Sequence, residues 1–187
     1  MRFSRLTIFS LWGLVFVFST LVTCTPREKF VDTERVFFSF DKKSSFALKN
    51  LPNHLQTIIV NFYAPRCPPC ENEVPALKKF YKEYEKNSAV GFFAIGSSLT
   101  AVDAAPSETV PREPIEAIVE ELKKFTYKFS LPYPQYLATP ADLKAWRVTG
   151  FPETFVFSRT DGKWLLRRKF VSEVTFENLV EQVQLRR

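Results

Sequence analysis

Ile58-Ile59-Val60-Asn61-Phe62-Tyr63-Ala64-Pro65-Arg66-Cys67-Pro68-Pro69-Cys70-Glu71-Asn72-Glu73-Val74 decides the reading of this chain. An apolar run that fits a buried strand is followed at once by two cysteines two residues apart and then by helical periodicity. A thiolate is the nucleophile in disulfide exchange, and a helix N-terminus offers it unpaired N–H groups and partial positive charge. Cys67 is therefore expected at the helix N-terminus and exposed. Cys70, one turn in, is expected to be shielded yet close enough to attack a mixed disulfide formed on Cys67. Pro69 fits a first helical turn, where a missing N–H costs nothing, and Pro68 stands with it between the cysteines as a candidate support of the site. Glu71 and Glu73 suit the same turn, and Val74, Leu77, Phe80, Tyr81 and Tyr84 continue an apolar stripe.

Other readings of the pair compete. Half of a zinc site needs two further ligands, and the only other candidates of the right type are Cys24 and His54. A structural staple across two residues closes too small a loop to remove much unfolded-chain entropy. A redox-dead descendant of a redox fold would be expected to have lost a cysteine, and both are present.

Outward from this stretch, the first 24 residues read as an export leader or membrane anchor. Arg2 and Arg5 precede the almost wholly apolar Leu6 to Val22, a run long for a cleaved signal and short for a span. Leu21-Val22-Thr23-Cys24 is similar to a bacterial lipobox with Thr23 at a position that usually carries a smaller residue, which makes Cys24 a candidate lipidation site. A linker follows over 25–34 and one domain over 35–187. The net charge of +6 falls to about +4 without Arg2 and Arg5, and the remaining cations alternate with glutamates along helical faces. That pattern describes solvated surfaces and argues against a nucleic-acid partner. The 20 phenylalanines point to an aromatic core.

The expected element order is α/β. Val36–Phe40 and Ser45–Leu48 read as a strand pair, Ile58–Tyr63 and Val90–Ile95 as buried parallel strands joined through the dithiol helix. Ile115, Ile118, Val119, Leu122 and Phe125 mark a further helix. Tyr136 and Leu137 fit a short extended segment and Pro140–Val148 a short helix. Glu153–Phe157 and Lys163–Val171 flank an Asp161-Gly162 turn, and Phe176 to Val183 closes the chain as a helix. This predicts a central mixed sheet with helices on both faces. Residues 97–114, with Pro106, Pro111 and Pro114, read as an insertion that leaves the edge bearing Cys67, where it would serve as a lip over the site, with a tolerated surface insertion as the alternative.

The stretch Ile58–Leu77 together with Val148-Thr149-Gly150-Phe151-Pro152-Glu153-Thr154-Phe155 resembles the thioredoxin superfamily, and within it the exported TlpA-like branch that includes ResA and the DsbE/CcmG cytochrome c maturation proteins. The resemblance covers most of the chain after the leader and implies a thioredoxin-like fold. It implies a cis peptide at Pro152 beside the dithiol, which with Phe151 would hold an extended substrate segment. Asn61 matches a strand position that carries Asn in this branch and a buried Asp elsewhere, and Pro75 matches a helix-kinking proline. Glu73 matches an acidic residue often found before that proline, with helix-surface charge as the plainer alternative. Glu153 matches an acid of the cytochrome c maturation subgroup and would move protons to or from Cys70, unless it is an exposed strand glutamate.

Three positions depart from the pattern. Arg66 replaces a tryptophan, and a cation there would favour the Cys67 thiolate and raise the reduction potential, unless it is a surface arginine pointing away. Ser97 stands near a position where the branch carries glutamate, and Phe151 is bulkier than usual. The implied activity is an exported thiol-disulfide oxidoreductase reducing disulfides in extracytoplasmic proteins, apocytochrome c among the candidates, through Cys67 and Cys70, which alternate between dithiol and disulfide. The implied partners are a protein disulfide or dithiol and a membrane or soluble recycling reductant. No cofactor is implied, and a monomer is expected. The alternatives are an oxidase that donates its disulfide and a non-catalytic binding module.

Overall fold

Thr57–Tyr63 forms β3, and all seven of its residues are buried. Its β-branched and aromatic side chains show no polar alternation because layers of structure cover both faces. The computed structural model describes residues 31–102 and 114–184. The leader, Cys24, the start of the linker and residues 103–113 of the insertion lie outside the described residues. Among the described residues no helix is long and apolar enough to cross a membrane.

The strands preceding β3 are β1 (Phe37–Ser39) and β2 (Ser45–Phe46), paired antiparallel. Leu48, expected at the end of that second strand, instead begins a 3-10 turn over Leu48–Asn50 and buries its side chain. After β3 come α1 (Pro68–Tyr84), β4 (Val90–Gly96), α2 (Ile115–Phe129), β5 (Gln135–Leu137) and α3 (Pro140–Ala145). The chain closes with β6 (Glu153–Thr160), β7 (Lys163–Val171) and α4 (Phe176–Gln184). One seven-stranded sheet runs β2-β1-β5-β4-β3-β6-β7. The β3–β4 and β4–β5 pairs are parallel and the others antiparallel, which gives the mixed α/β sheet of a thioredoxin-like fold.

Strand alternation divides the core in two. Ile58, Val60 and Phe62 of β3 and Phe155 and Phe157 of β6 face one side. There they meet Phe37, Phe46 and Trp146, whose ring lies 5.3 Å from those of both Phe37 and Phe62. Trp146 ends α3, which starts in a capping box between Thr139 and Asp142. Ile59 and Tyr63 of β3 and Val156 of β6 face the other side, under α1, α2 and α4, in a cluster that contains both Cys67 and Cys70. A Cβ on Gly96 would come within 2.3 Å of Leu122 Cδ2, so only glycine lets α2 approach β4 this closely.

At the hairpin tip Asp161 and Gly162 have φ of 50° and 76°, the left-handed pair that a two-residue turn of matching twist requires. Beyond it β7 is an edge strand, with exposed Lys163, Arg167 and Arg168 and a bulge opposite the Val156–Phe157 step.

Candidate active site

The carboxyl ends of β3, β4 and β5 share one edge of the sheet, and antiparallel β6 enters at that edge through Glu153, opposite Phe62. This arrangement brings the two halves of the sequence motif together. β3 runs into Pro65 and Arg66, then into Cys67 as the cap residue of α1. The loop from Val148 to Pro152 arrives at the same edge, where the Phe151–Pro152 peptide is cis.

Cys67 and Cys70 are joined as a disulfide with their Cα atoms 5.2 Å apart. Cys67 Sγ accepts the Cys70 N–H at 3.3 Å, the bond by which a cap residue satisfies a first-turn amide. Both cysteines are only 2% exposed, which corrects the expectation of an exposed Cys67. The reason is packing: the Cys67 side chain folds back over the first turn of α1 into the cluster beneath it, and Phe151 packs against that same cluster. Pro68 and Pro69 occupy the first turn, and Pro75 lies inside the helix.

Beneath the dithiol runs a buried polar chain. Asn61 Nδ2 donates to Glu73 Oε1 at 2.8 Å and to Thr154 Oγ1 at 3.0 Å, while Glu73 Oε2 accepts the Val174 N–H at 3.1 Å. Glu73 is 2% exposed, so the surface-charge alternative fails. Burial pushes its carboxyl up to about 8, outweighing the bonds from Asn61 and Val174 that favour the charged form. It stands three residues after Cys70 on α1, on the same side of the helix. The sequence held a signal for this: Glu73 lies four before Leu77 and seven before Phe80, within the buried stripe. Thr154 was missed, although it follows once β6 is registered against β3.

Arg66 has φ of 59°, an uncommon conformation for a residue with a Cβ. Its guanidinium is tied to Glu121 of α2 at 2.9 Å. Glu71 pairs with Lys128 at 2.9 Å, and Lys78 Nζ donates to the Phe129 carbonyl at 2.8 Å, so α2 is fastened along the first half of α1. The expected field of Arg66 on Cys67 is thus offset by the Glu121 carboxylate, a partner that no local motif marks. Glu121→Gln is expected to unmask that cation and raise the iodoacetamide reactivity of reduced Cys67 at neutral pH by about two- to threefold, the scale of an exposed charge pair. Unchanged reactivity would show that the pair does not act on the sulfur.

Glu153 is fully buried. It points to the face of Phe155 and Phe157, across the sheet from the cluster of the two sulfurs. Its Oε1 accepts the Thr149 N–H at 3.1 Å and the Thr149 hydroxyl, and Oε2 lies 2.8 Å from Lys169 Nζ, an ion pair without regular hydrogen-bond geometry. This corrects both readings of Glu153: it is neither an exposed strand residue nor placed to exchange protons with Cys70. Ser97 is buried, its hydroxyl donated to the Ala138 carbonyl at 2.8 Å. Among the described residues, no group of three or more His, Cys, Asp and Glu side chains could hold a metal ion.

The sequence model of the Redoxin family matches residues 38–157. No curated protein sequence matches the chain. Among solved structures, a thiol:disulfide interchange protein of the thioredoxin family from Chlorobium tepidum superposes with a TM-score of 0.61 at 20% identity, covering 86% of this chain and 97% of that one. StoA from Bacillus subtilis gives 0.56 at 18% identity over 80% and 95% of the two chains. A secreted Mycobacterium tuberculosis disulfide oxidoreductase homologous to E. coli DsbE gives 0.58 at 17% identity over 82% and 96%.

Proposed function

The chain belongs to the redoxin family, with a thioredoxin fold and a Cys67–Cys70 pair, and from that premise we propose that it is an exported thiol-disulfide oxidoreductase that reduces disulfides in extracytoplasmic proteins. The observation that carries this reading is the dithiol at the N-terminus of α1, beside the Phe151–Pro152 loop and above the buried Glu73. In the reduced protein the Cys67 thiolate attacks a substrate disulfide, forming a mixed disulfide and releasing one substrate thiolate. The Cys70 thiolate then attacks Cys67 Sγ, which releases the second substrate thiolate and leaves the Cys67–Cys70 disulfide; two electrons have passed to the substrate. Glu73, protonated near neutral pH in the disulfide form, supplies a proton when Cys70 returns to a thiol and accepts one in the opposite direction. Phe151 and Pro152 bind the polypeptide flanking the substrate cysteine, and a membrane or soluble reductant restores the dithiol.

Export is supported by the basic and apolar start of the chain, and retention at the membrane through residues 1–24 or a lipid on Cys24 belongs to the same proposal. Apocytochrome c is the candidate substrate class that the motif resemblance suggests, and residues 97–114 the candidate lip that selects it. The Arg66–Glu121 pair removes the reason to favour an oxidant, since the cation beside Cys67 is no longer alone. The test is the reduction potential of the couple, measured by equilibration with dithiothreitol and glutathione buffers and mass-tagging of free thiols. A value near thioredoxin's, about −270 mV, is expected; one near −120 mV would make the protein a disulfide donor and overturn the direction.

A further inference from the structure

Glu153 and Lys169 form a buried ion pair that the exchange chemistry does not use. Glu153 is fully buried, the Lys169 side chain is 16% exposed, and the Lys169 ammonium also lies over the Phe155 ring at 5.1 Å. Ion pairs withdrawn from water are weak sources of stability, because desolvation offsets most of their attraction. What this pair holds is more telling than what it contributes. Glu153 Oε1 takes both donors of Thr149. Lys169 Nζ donates to the Arg147 carbonyl at 2.8 Å, where the backbone turns through a φ of 53°. At the far end, Ser172 N–H donates to the Pro152 carbonyl at 3.0 Å. Three bonded points, from the start of β6, from β7 and from the residue after it, therefore pin residues 147, 149 and 152 and leave Gly150 and Phe151 between them.

We propose that Glu153 is a positioning residue: with its charge offset by Lys169, its carboxylate clasps Thr149 and so fixes the loop that presents Phe151 and Pro152 to an extended polypeptide substrate. The strand parity described above separates this role from proton transfer. The carboxylate faces the Trp146 side of the sheet while the sulfurs lie on the α1 side, and both its oxygens are already engaged. A loop held from behind keeps its outward surface in one shape before substrate arrives, which reduces the ordering that binding must supply.

The substrate arm of this proposal rests on the thiol-disulfide reading, whereas the clasp itself does not, so the experiment measures them separately. In the double variant Glu153→Leu/Lys169→Met the ion pair is replaced by apolar side chains of similar volume, an exchange that buried pairs often tolerate. The melting temperature is expected to hold or rise. Amide hydrogen exchange over residues 149–151 is expected to quicken at least about tenfold, while the amides of β3 and β4 keep their protection. KM for a protein disulfide should rise severalfold with little change in kcat, and the pH profile of exchange should not move.

Unchanged loop exchange would overturn the clasp. So would a displaced pH profile, which would return Glu153 to proton transfer. If the loop loosens and KM stays constant, the loop does not position substrate and that half of the proposal falls. If the double variant does not fold, Thr149→Val, which removes one hydroxyl at the surface end of the clasp, must quicken the same amides to a smaller degree, and failure to do so overturns the proposal. A protein that exchanges no disulfides at all would refute the function above, and hydrogen exchange would still decide the clasp.

Discussion

Cys67→Ser is expected to abolish disulfide exchange, lowering turnover by roughly a thousandfold or more, as removal of an attacking nucleophile does elsewhere. A serine hydroxyl is not ionised near neutral pH, and the cap geometry that offers Cys67 the Cys70 N–H and the N-terminal end of α1 is of no use without a thiolate to receive it. Cys70→Ser is expected to do something different. It leaves the attack intact and removes the resolving sulfur, so that a mixed disulfide between Cys67 and the substrate accumulates and survives denaturation without reductant. Intact-mass measurement after incubation with a disulfide-bonded protein reads this directly. A binding module that keeps the pair only as a staple would retain its ligand in both variants and form no adduct in either. That pattern would end the enzymatic reading.

Glu73→Gln is expected to flatten the pH dependence of stability. In the unfolded chain this carboxyl loses its proton near 4.5, and in the native disulfide form it keeps it up to about 8. Between those values the native state binds more protons than the unfolded state, so stability falls as pH rises through the window and levels off above it. At about 1.4 kcal/mol per pH unit the loss is on the order of 5 kcal/mol, most of it between pH 5 and 8. Glutamine removes the titration. It also offers one acceptor oxygen to two donors, Asn61 Nδ2 and Val174 N–H, a mismatch that costs about 1–3 kcal/mol at every pH. The variant should therefore be less stable than the parent at pH 5, and the gap should close or reverse by pH 8. Urea denaturation at pH 5, 6.5 and 8 gives the comparison, and a variant that still loses stability across this range would remove Glu73 as the source.

The stretch around the two cysteines could be read because each level of it agrees: a β-branched strand without polar alternation, a pair of prolines at a helix start, and a stripe from Val74 to Tyr84 that fixes which side of α1 is buried. The hairpin was legible for the same reason, since Asp161 and Gly162 tolerate the left-handed backbone that its turn demands. Where the reading failed, the cause is tertiary. In β7, Trp164 and Leu166 face the Trp146 side of the sheet, and strict alternation would send Arg168 there next. The bulge at Arg167 shifts the parity, Arg168 turns outward, and Lys169 goes in to meet Glu153. No pattern in Leu165-Leu166-Arg167-Arg168-Lys169-Phe170 announces that extra residue. Likewise Arg66 and Glu121 are 55 positions apart and become neighbours only when α2 packs along α1.

The exposed edge at β7 carries a further consequence if the protein binds extended polypeptide as proposed above. A nine-residue strand paired on one side only is a template onto which another extended segment could add, whether from a client or from a second copy, and such growth is how sheets begin to aggregate. Here the outer edge displays Lys163, Arg167 and Arg168, and the bulge interrupts the even spacing of its free backbone groups. A second copy meeting it edge to edge would bring like charges into register. The sheet thus ends itself at β7, and an extended chain bound at the proposed site, at the carboxyl ends of β3, β4 and β5, is not offered β7 as a strand to lengthen.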